Sequence, residues 1–258
     1  MLTATQLYNA ITRNYSTSLS STAAEPAVKI ATQYFLANIG KVTSAQQLVN
    51  NPNLYNYVVT AFGLSNMSYA KALITKVLEG GTSSHSFAAS LNDPRYLALA
   101  QAFNFAQNGA ETTQSPSTIQ TTVNNYYEQT LENQTAQENP GAQMALYFQR
   151  MAPHITSAYS ILADQTLLKV VETAFSLPST LSLENVDTQA QEISQLLDVR
   201  KLQNPTYLQQ FIERFTASYD SQNPLGSSTP PTVAMLVSSP GISQNLLLSL
   251  ANLKLGGS

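Results

Sequence analysis

One 31-residue stretch occurs twice in this chain. Residues 34–64 read YFLANIGKVTSAQQLVNNPNLYNYVVTAFGL and residues 147–177 read YFQRMAPHITSAYSILADQTLLKVVETAFSL, at a constant offset of 113 and without a gap. Eleven of the 31 positions are identical, among them Tyr34/Tyr147, Phe35/Phe148, Thr43/Thr156, Leu54/Leu167 and Phe62/Phe175. Val42/Ile155, Leu48/Ile161 and Val49/Leu162 exchange one apolar side chain for another. Self-similarity at a fixed offset marks an internal duplication, and each copy must offer its apolar positions to a similar core.

The local signals inside the stretch are helical. Ser44 followed by Gln47 is a capping-box pattern that opens a short helix. Asn51 suits an N-cap and Pro52 a first helical turn, where a missing N–H costs nothing. Leu54, Tyr55, Val58, Val59 and Phe62 then form one inner face, with Gly63 at its end. In the second copy Asp164 takes the N-cap position, Leu167, Leu168, Val171 and Phe175 repeat the face, and Pro178 follows.

The same logic extends outwards. Leu7, Tyr8, Ile11 and Tyr15 fall at helical intervals, after which the Ser/Thr run Ser16–Thr22 reads as a mobile connector. Val28, Ala31, Tyr34, Phe35 and Ile39 make a stripe behind Pro26, with Gly40 placed for a left-handed cap. Tyr69–Glu79 follows the first copy, and Ala190, Ile193, Leu196 and Leu197 follow the second. Asp93-Pro94 and Asn204-Pro205 each open a further helix, 111 positions apart. Ser115-Pro116 starts a long helix reaching about Glu138, and Asn139-Pro140 begins the next. No alternating hairpin pair is present. The expected fold is all-α, a multihelical domain built from two tandem repeats of about 110 residues.

The expected organisation is an N-terminal helix and connector over residues 1–25 and a duplicated helical domain over 26–220. Its repeats lie at about 26–110 and 140–220, joined by a helix at 116–138. A Pro/Ser-rich tail follows over 221–258, in which Val233–Val237 is apolar enough to dock and Ile242–Leu255 is an amphipathic, Leu-rich helix. That tail folds back on the body or associates with a partner or a second copy.

Composition narrows the function. Charged residues are 10% of the chain and the net charge is −3, without the basic cluster that nucleic-acid binding requires. No apolar run is long enough to span a membrane, and the N-terminus lacks signal-peptide character. The chain has no cysteine, which excludes disulfides, thiolate metal sites and thiol nucleophiles.

The remaining chemistry is sparse. His85 lies in a polar loop. His154 replaces Lys41 at equivalent positions, as an exposed corner does. Glu79-Gly80-Gly81 is explained as a helix C-cap. Asp93 and Asp164 are accounted for as N-caps, and no nucleophile elbow or phosphate loop is present. No catalytic, cofactor-binding or metal-ligating residue is nominated, and no cofactor is implied. Tyr34, Tyr147, Tyr126 and Tyr127 are candidates to line an apolar groove between the halves.

The strings YFLANIGKVTSAQQLVNNPNLYNYVVTAFGL, YAKALITKVLEGG, SFAASLNDPRYLALAQAFNF, YFQRMAPHITSAYSILAD and QQFIERFTASYD carry a family resemblance over roughly residues 26–220. They resemble a domain-of-unknown-function family of multihelical, repeat-containing proteins encoded near flagellar genes in alphaproteobacteria. The resemblance implies a non-enzymatic, flagellum-associated structural or assembly protein whose partners are other flagellar or export proteins. It implies a flagellar, exported or cytoplasmic location without deciding among them. The alternative is a helical ligand-binding or regulatory module.

Overall fold

Helix starts and stops are fixed by the caps that the sequence carries. In the computed structural model, which describes residues 1–224, no strand occurs among the described residues. The first half runs α1 (Ala4–Arg13), α2 (Tyr15–Ala24), α3 (Pro26–Asn38), α4 (Ala45–Asn50), α5 (Pro52–Ala61) and α6 (Lys71–Glu79). The short helices α7 (Phe87–Ser90), α8 (Pro94–Ala102) and α9 (Phe105–Asn108) complete it. The long α10 (Pro116–Glu138) leads to α11 (Pro140–Met151), α12 (Ala158–Leu162), α13 (Gln165–Phe175), α14 (Val186–Leu196) and α15 (Pro205–Gln222). The fold is all-α.

Several starts follow the expected chemistry. Ser44 accepts from the Gln47 N–H, Asn51 from the Leu54 N–H, and Asp164 from the Thr166 and Leu167 N–H groups. Pro26, Pro52, Pro94, Pro116 and Pro140 each occupy a first helical turn. At the 113-residue offset, the order α3, 3-10 turn Ile39–Lys41, α4, α5 is matched by α11, 3-10 turn Ala152–His154, α12, α13.

Two apolar cores form, one per half. Phe35, Leu48, Leu54, Ile74, Leu99 and Phe103 centre the first. Phe148, Ile161, Leu167, Ile193 and Phe215 centre the second. Phe35 and Phe148, equivalent in sequence, are both fully buried, and each such ring contributes roughly 1.5–3 kcal/mol. The chain crosses over at its N-terminal end, where Leu7 and Tyr8 of α1 join the second core, while Val123 of the linking helix α10 joins the first. Residues Met1–Gln222 therefore make one compact unit.

Four sequence expectations are corrected. Ser16–Thr22 is not a connector: it lies within α2, where the Ser20 hydroxyl returns to the Ser16 carbonyl at 2.8 Å and Thr22 is buried against Gln134 of α10. An apolar stripe was the wrong signal there, because small hydroxyl side chains make the contact. Gly40 is no left-handed cap, since α3 passes into the 3-10 turn. Leu196 does not face the core and is 42% exposed, while Leu197, one position on, is buried and ends the helix. The helix expected from Tyr69 starts at Lys71, and Tyr69 is exposed. The Val233–Val237 and Ile242–Leu255 expectations lie outside the described residues.

α1 is held by the far end of the same unit. Asp220 accepts from the Ala4 N–H (2.7 Å), the Thr5 N–H (3.1 Å) and the Thr5 hydroxyl (2.7 Å), a carboxylate on a helix N-terminus. Gly141 of α11 lies beneath this crossing, where an added Cβ would stand 2.8 Å from the Ala4 Cβ and overlap the Tyr219 ring.

Two outcomes follow from this packing. Gly141→Ala overfills the crossing of α1, α11 and α15, at a cost of about 1–3 kcal/mol, and thermal unfolding should begin at a lower temperature than in the parent. Partial burial raises the Asp220 pKa, but the hydrogen bonds from Thr5 and Ala4 outweigh it and leave the group below its ordinary 3.8. Its contribution is therefore present above that value and is lost as pH falls through the lower folded-state pKa. Denaturant titrations across the acid range should show a steeper loss in the parent than in Asp220→Asn; identical acid limbs would remove Asp220 as the clamp.

Candidate functional site

Each half carries a tyrosine on its leading helix and an Asx N-cap 17 residues later, and the two side chains meet. In the first half Asn51 Nδ2 donates to the Tyr34 hydroxyl at 3.2 Å. In the second half the Tyr147 hydroxyl donates to Asp164 Oδ2. The geometry recurs; the environment does not. Tyr34 is 36% exposed and Tyr147 only 4%.

The second pair is buried because the first half covers it. Arg95, in the opening turn of α8, lies 3.2 Å from Asp164 Oδ2 through its Nε. It also grips Asp93, with Nη2 at 2.7 Å from Oδ2, and donates from Nη1 to the Gly63 carbonyl at 3.0 Å. Gly63 has a φ of +69°, and a Cβ there would sit 3.1 Å from Gln129 Oε1, so glycine permits both the turn and the close approach. One guanidinium thus joins a loop of the first half to an N-cap of the second.

A second, largely enclosed arginine continues the seam. Arg150 of α11 pairs with Glu132 of α10 at 2.6 Å and 2.9 Å and donates to Gln129 Oε1 at 2.8 Å. Its guanidinium also lies over the Tyr147 ring, 5.2 Å from the centroid. Burial works against the Arg150 charge, but Glu132 beside it keeps the group protonated. Burial likewise opposes Arg95, and Asp93 offsets it. Burial and the Asp164 charge push the Tyr147 phenol well above its ordinary value, so it stays a donor. Among the described residues no buried side-chain nitrogen or oxygen lacks a hydrogen-bond partner. Chemically this arrangement locks; its donors and acceptors are already engaged.

The residues singled out in the sequence fall elsewhere. His85 is exposed. His154 is an exposed corner at the edge of a shallow cavity of about 330 Å³ shared with Phe62, Ala98 and Thr118. Desolvation where the ring faces that cavity, and the Arg150 charge, keep its imidazole below the ordinary pKa. Gly80 and Gly81 close α6, Gly81 with a φ of +71°. Among the described residues no group of three or more His, Cys, Asp or Glu side chains is placed to hold a metal ion.

The expected four-tyrosine groove is corrected. Tyr34 and Tyr126 do line one groove of about 480 Å³, together with Tyr57, Ile30 and Asn53. Tyr147 is withdrawn into the seam by Asp164 and Arg95, and Tyr127 packs against the first core. The groove lies on the first half, where Phe35, Tyr57 and Tyr126 stack with ring centroids 4.5 Å and 3.8 Å apart. Sequence reasoning missed Arg95, Arg150, Glu132 and Gln129. The signal available was Arg95 itself, a cation two positions after the Asp93 cap in a chain so poor in charge.

A family model described as protein of unknown function (DUF1217) matches residues 61–208. The chain belongs to the DUF1217 family. The matched segment contains the seam residues Gly63, Asp93, Arg95, Tyr147, Arg150 and Asp164, and stops short of Tyr34 and Asn51. The X-ray crystal structure of a protein from Agrobacterium tumefaciens is similar, with 38% sequence identity and a TM-score of 0.78 over 84% of this chain and 93% of that one. No curated protein matches the chain. No helix among the described residues is long and apolar enough to cross a membrane.

The seam makes an ordering of variants measurable by urea denaturation. Arg95→Met strands the Asp164 carboxylate without its cation and should cost about 3–5 kcal/mol. Asp164→Asn keeps an N-cap and a partner for the phenol, as Asn51 does for Tyr34, and should cost less, about 1–3 kcal/mol. The reverse order would mean that Arg95 is not what holds the halves together.

Proposed function

We propose that this chain is a non-enzymatic, flagellum-associated structural or assembly protein that works through protein–protein contacts. The observation that carries the reading is the exposed face of the first half. Tyr34, Asn51 and the 67%-exposed Ile30 lie beside the 480 Å³ groove, on a duplicated framework whose other copy buries the equivalent pair. Duplicated helical units suit extended binding surfaces. The buried carboxylates support a non-catalytic reading, because Asp93, Asp164 and Glu132 are each engaged by an arginine. The flagellar part rests on the family resemblance of the sequence strings.

A second reading is favoured by the tyrosine-lined groove itself. Stacked Tyr57 and Tyr126 behind Ile30 and Ala31 suit a flat apolar ligand, which would make the chain a ligand-binding or regulatory module. Such a ligand raises the melting temperature by mass action.

Localisation separates the alternatives. Immunoblots of cytosol, purified flagella and culture supernatant should place the protein in a flagellar or external fraction that empties when flagellar export is blocked. Cytosolic protein in both strains, together with normal flagella and motility in a deletion strain, would reject the flagellar role.

A further inference from the structure

The string that covers the buried Tyr147–Asp164 pair occurs twice in the chain. Leu91-Asn92-Asp93-Pro94-Arg95 is followed, 105 positions later, by Leu196-Leu197-Asp198-Val199-Arg200. The two aspartates act alike. Each accepts from the backbone N–H of the arginine two positions on, at 2.9 Å and 3.2 Å. Each is also held by that arginine's side chain, through Nε at 3.0 Å and 3.1 Å and through Nη2 at 2.7 Å and 3.3 Å. The settings differ. The Arg95 side chain is 13% exposed and its Nη1 reaches the Gly63 carbonyl. The Arg200 side chain is 88% exposed, and among the described residues its Nη1 has no hydrogen-bond partner. The pair that such a string covers also occurs twice, and Tyr34 and Asn51 are the uncovered version. At the 113-residue offset the charged groups around the covered pair, Asp164, Arg150 and Glu132, correspond to Asn51, Ala37 and Leu19.

We propose that the exposed Asp198–Arg200 turn of one copy of this chain docks on the Tyr34–Asn51 pair of a second copy. The inference rests on reading the chain as an interaction protein, and it names one partner. The seam shows what covers a Tyr–Asx pair in this protein: a guanidinium braced by the aspartate two residues before it. One more such guanidinium and one more such pair stand open together in the folded chain, so the contact that joins them is one between copies. The charges balance. Arg200 is neutralised by its own Asp198, and the open pair has lost both carboxylates and the arginine of its twin, so docking strands no charge. The guanidinium has an N–H left to give, and the Asn51 carboxamide and Tyr34 hydroxyl are acceptors for it. Apolar side chains flank both sides: Leu196 precedes the turn and is 42% exposed, while Ile30 lines the groove with Tyr34 and is exposed as well, as an unfilled contact requires. The turn and the pair are different surfaces, so the contact is heterologous and adds copies without closing at two.

The full chain should show concentration-dependent association in sedimentation velocity between micromolar and millimolar protein, with species beyond the dimer. Tyr34→Lys sets a like charge against Arg200 and blocks the pair. Asp198→Ser with Arg200→Ala removes the guanidinium and both charges, and serine still caps the turn. Each variant alone should be monomeric. Mixed in equal amounts, the two should form a one-to-one dimer and nothing larger, through the face each retains. A parent chain that stays monomeric overturns the proposal, as does association that survives either block or a mixture that stays monomeric. Circular dichroism checks that both variants fold. Should either fail, Asn51→Asp carries the test, since it offers Arg200 the carboxylate that Asp164 offers Arg95 and remains an N-cap. Its dissociation constant should fall about tenfold or more, and adding Arg200→Ala should abolish that gain. An unchanged constant, or a gain that persists without Arg200, overturns the proposal. A flagellar protein whose partners are all foreign passes the localisation experiment and fails this one; a self-associating cytosolic protein does the reverse.

Discussion

The structure depends on one largely enclosed cation held between three oxygen acceptors of different origin. Arg95 is engaged by Asp93 two residues away, by the Gly63 carbonyl at the end of α5, and by Asp164 from the other half. Desolvating a guanidinium and two carboxylates is unfavourable by itself, and the geometry must return that free energy through short, saturated contacts. It does so because Asp164 is already fixed by the Thr166 and Leu167 N–H groups and Asp93 by its own helix start. The caps that begin α8 and α13 are therefore also the parts that orient the ion pair.

The rest of the seam elaborates this constraint. Tyr147 supplies Asp164 with a hydroxyl donor, Arg150 lies over the Tyr147 ring, and Glu132 and Gln129 of α10 engage Arg150. α10 thereby joins both halves: Val123 near its start sits in the first core while Glu132 nearer its end answers the second. The crossing of α1 onto the second half, held by Asp220, acts in the same direction. Two cores that each resemble a small helical domain become one unit because polar groups between them are satisfied only when the halves are together.

The helical framework was legible residue by residue. Asn51-Pro52, Asp93-Pro94, Ser115-Pro116, Asn139-Pro140 and Asn204-Pro205 each combine an acceptor side chain with a fixed φ, and each opens a helix where expected. Helix α2 was not legible, since Ser16–Thr22 offers no apolar stripe and its helicity comes from contact with α10. The end of α13 was only half legible. Gly63 announces a left-handed residue, whereas Ser176 adopts the same backbone without the residue that signals it. Asp164 was read correctly as an N-cap and incompletely as a residue, because one carboxylate oxygen serves its helix and the other serves the seam.

The sequence by itself determined that the chain is all-helical, where its helices begin, and which apolar positions face a core, because caps and periodicity act within a few residues. Tertiary structure alone decided that one Tyr–Asx pair is buried and charged while its duplicate is open and neutral. That difference depends on which surface the folded chain lays over each pair. Arg95 and Asp164 stand 69 positions apart in the sequence, and no local rule brings a cation to a helix cap across that distance. Packing of the two cores does so, and it leaves the Tyr34 face without the cover that its twin receives.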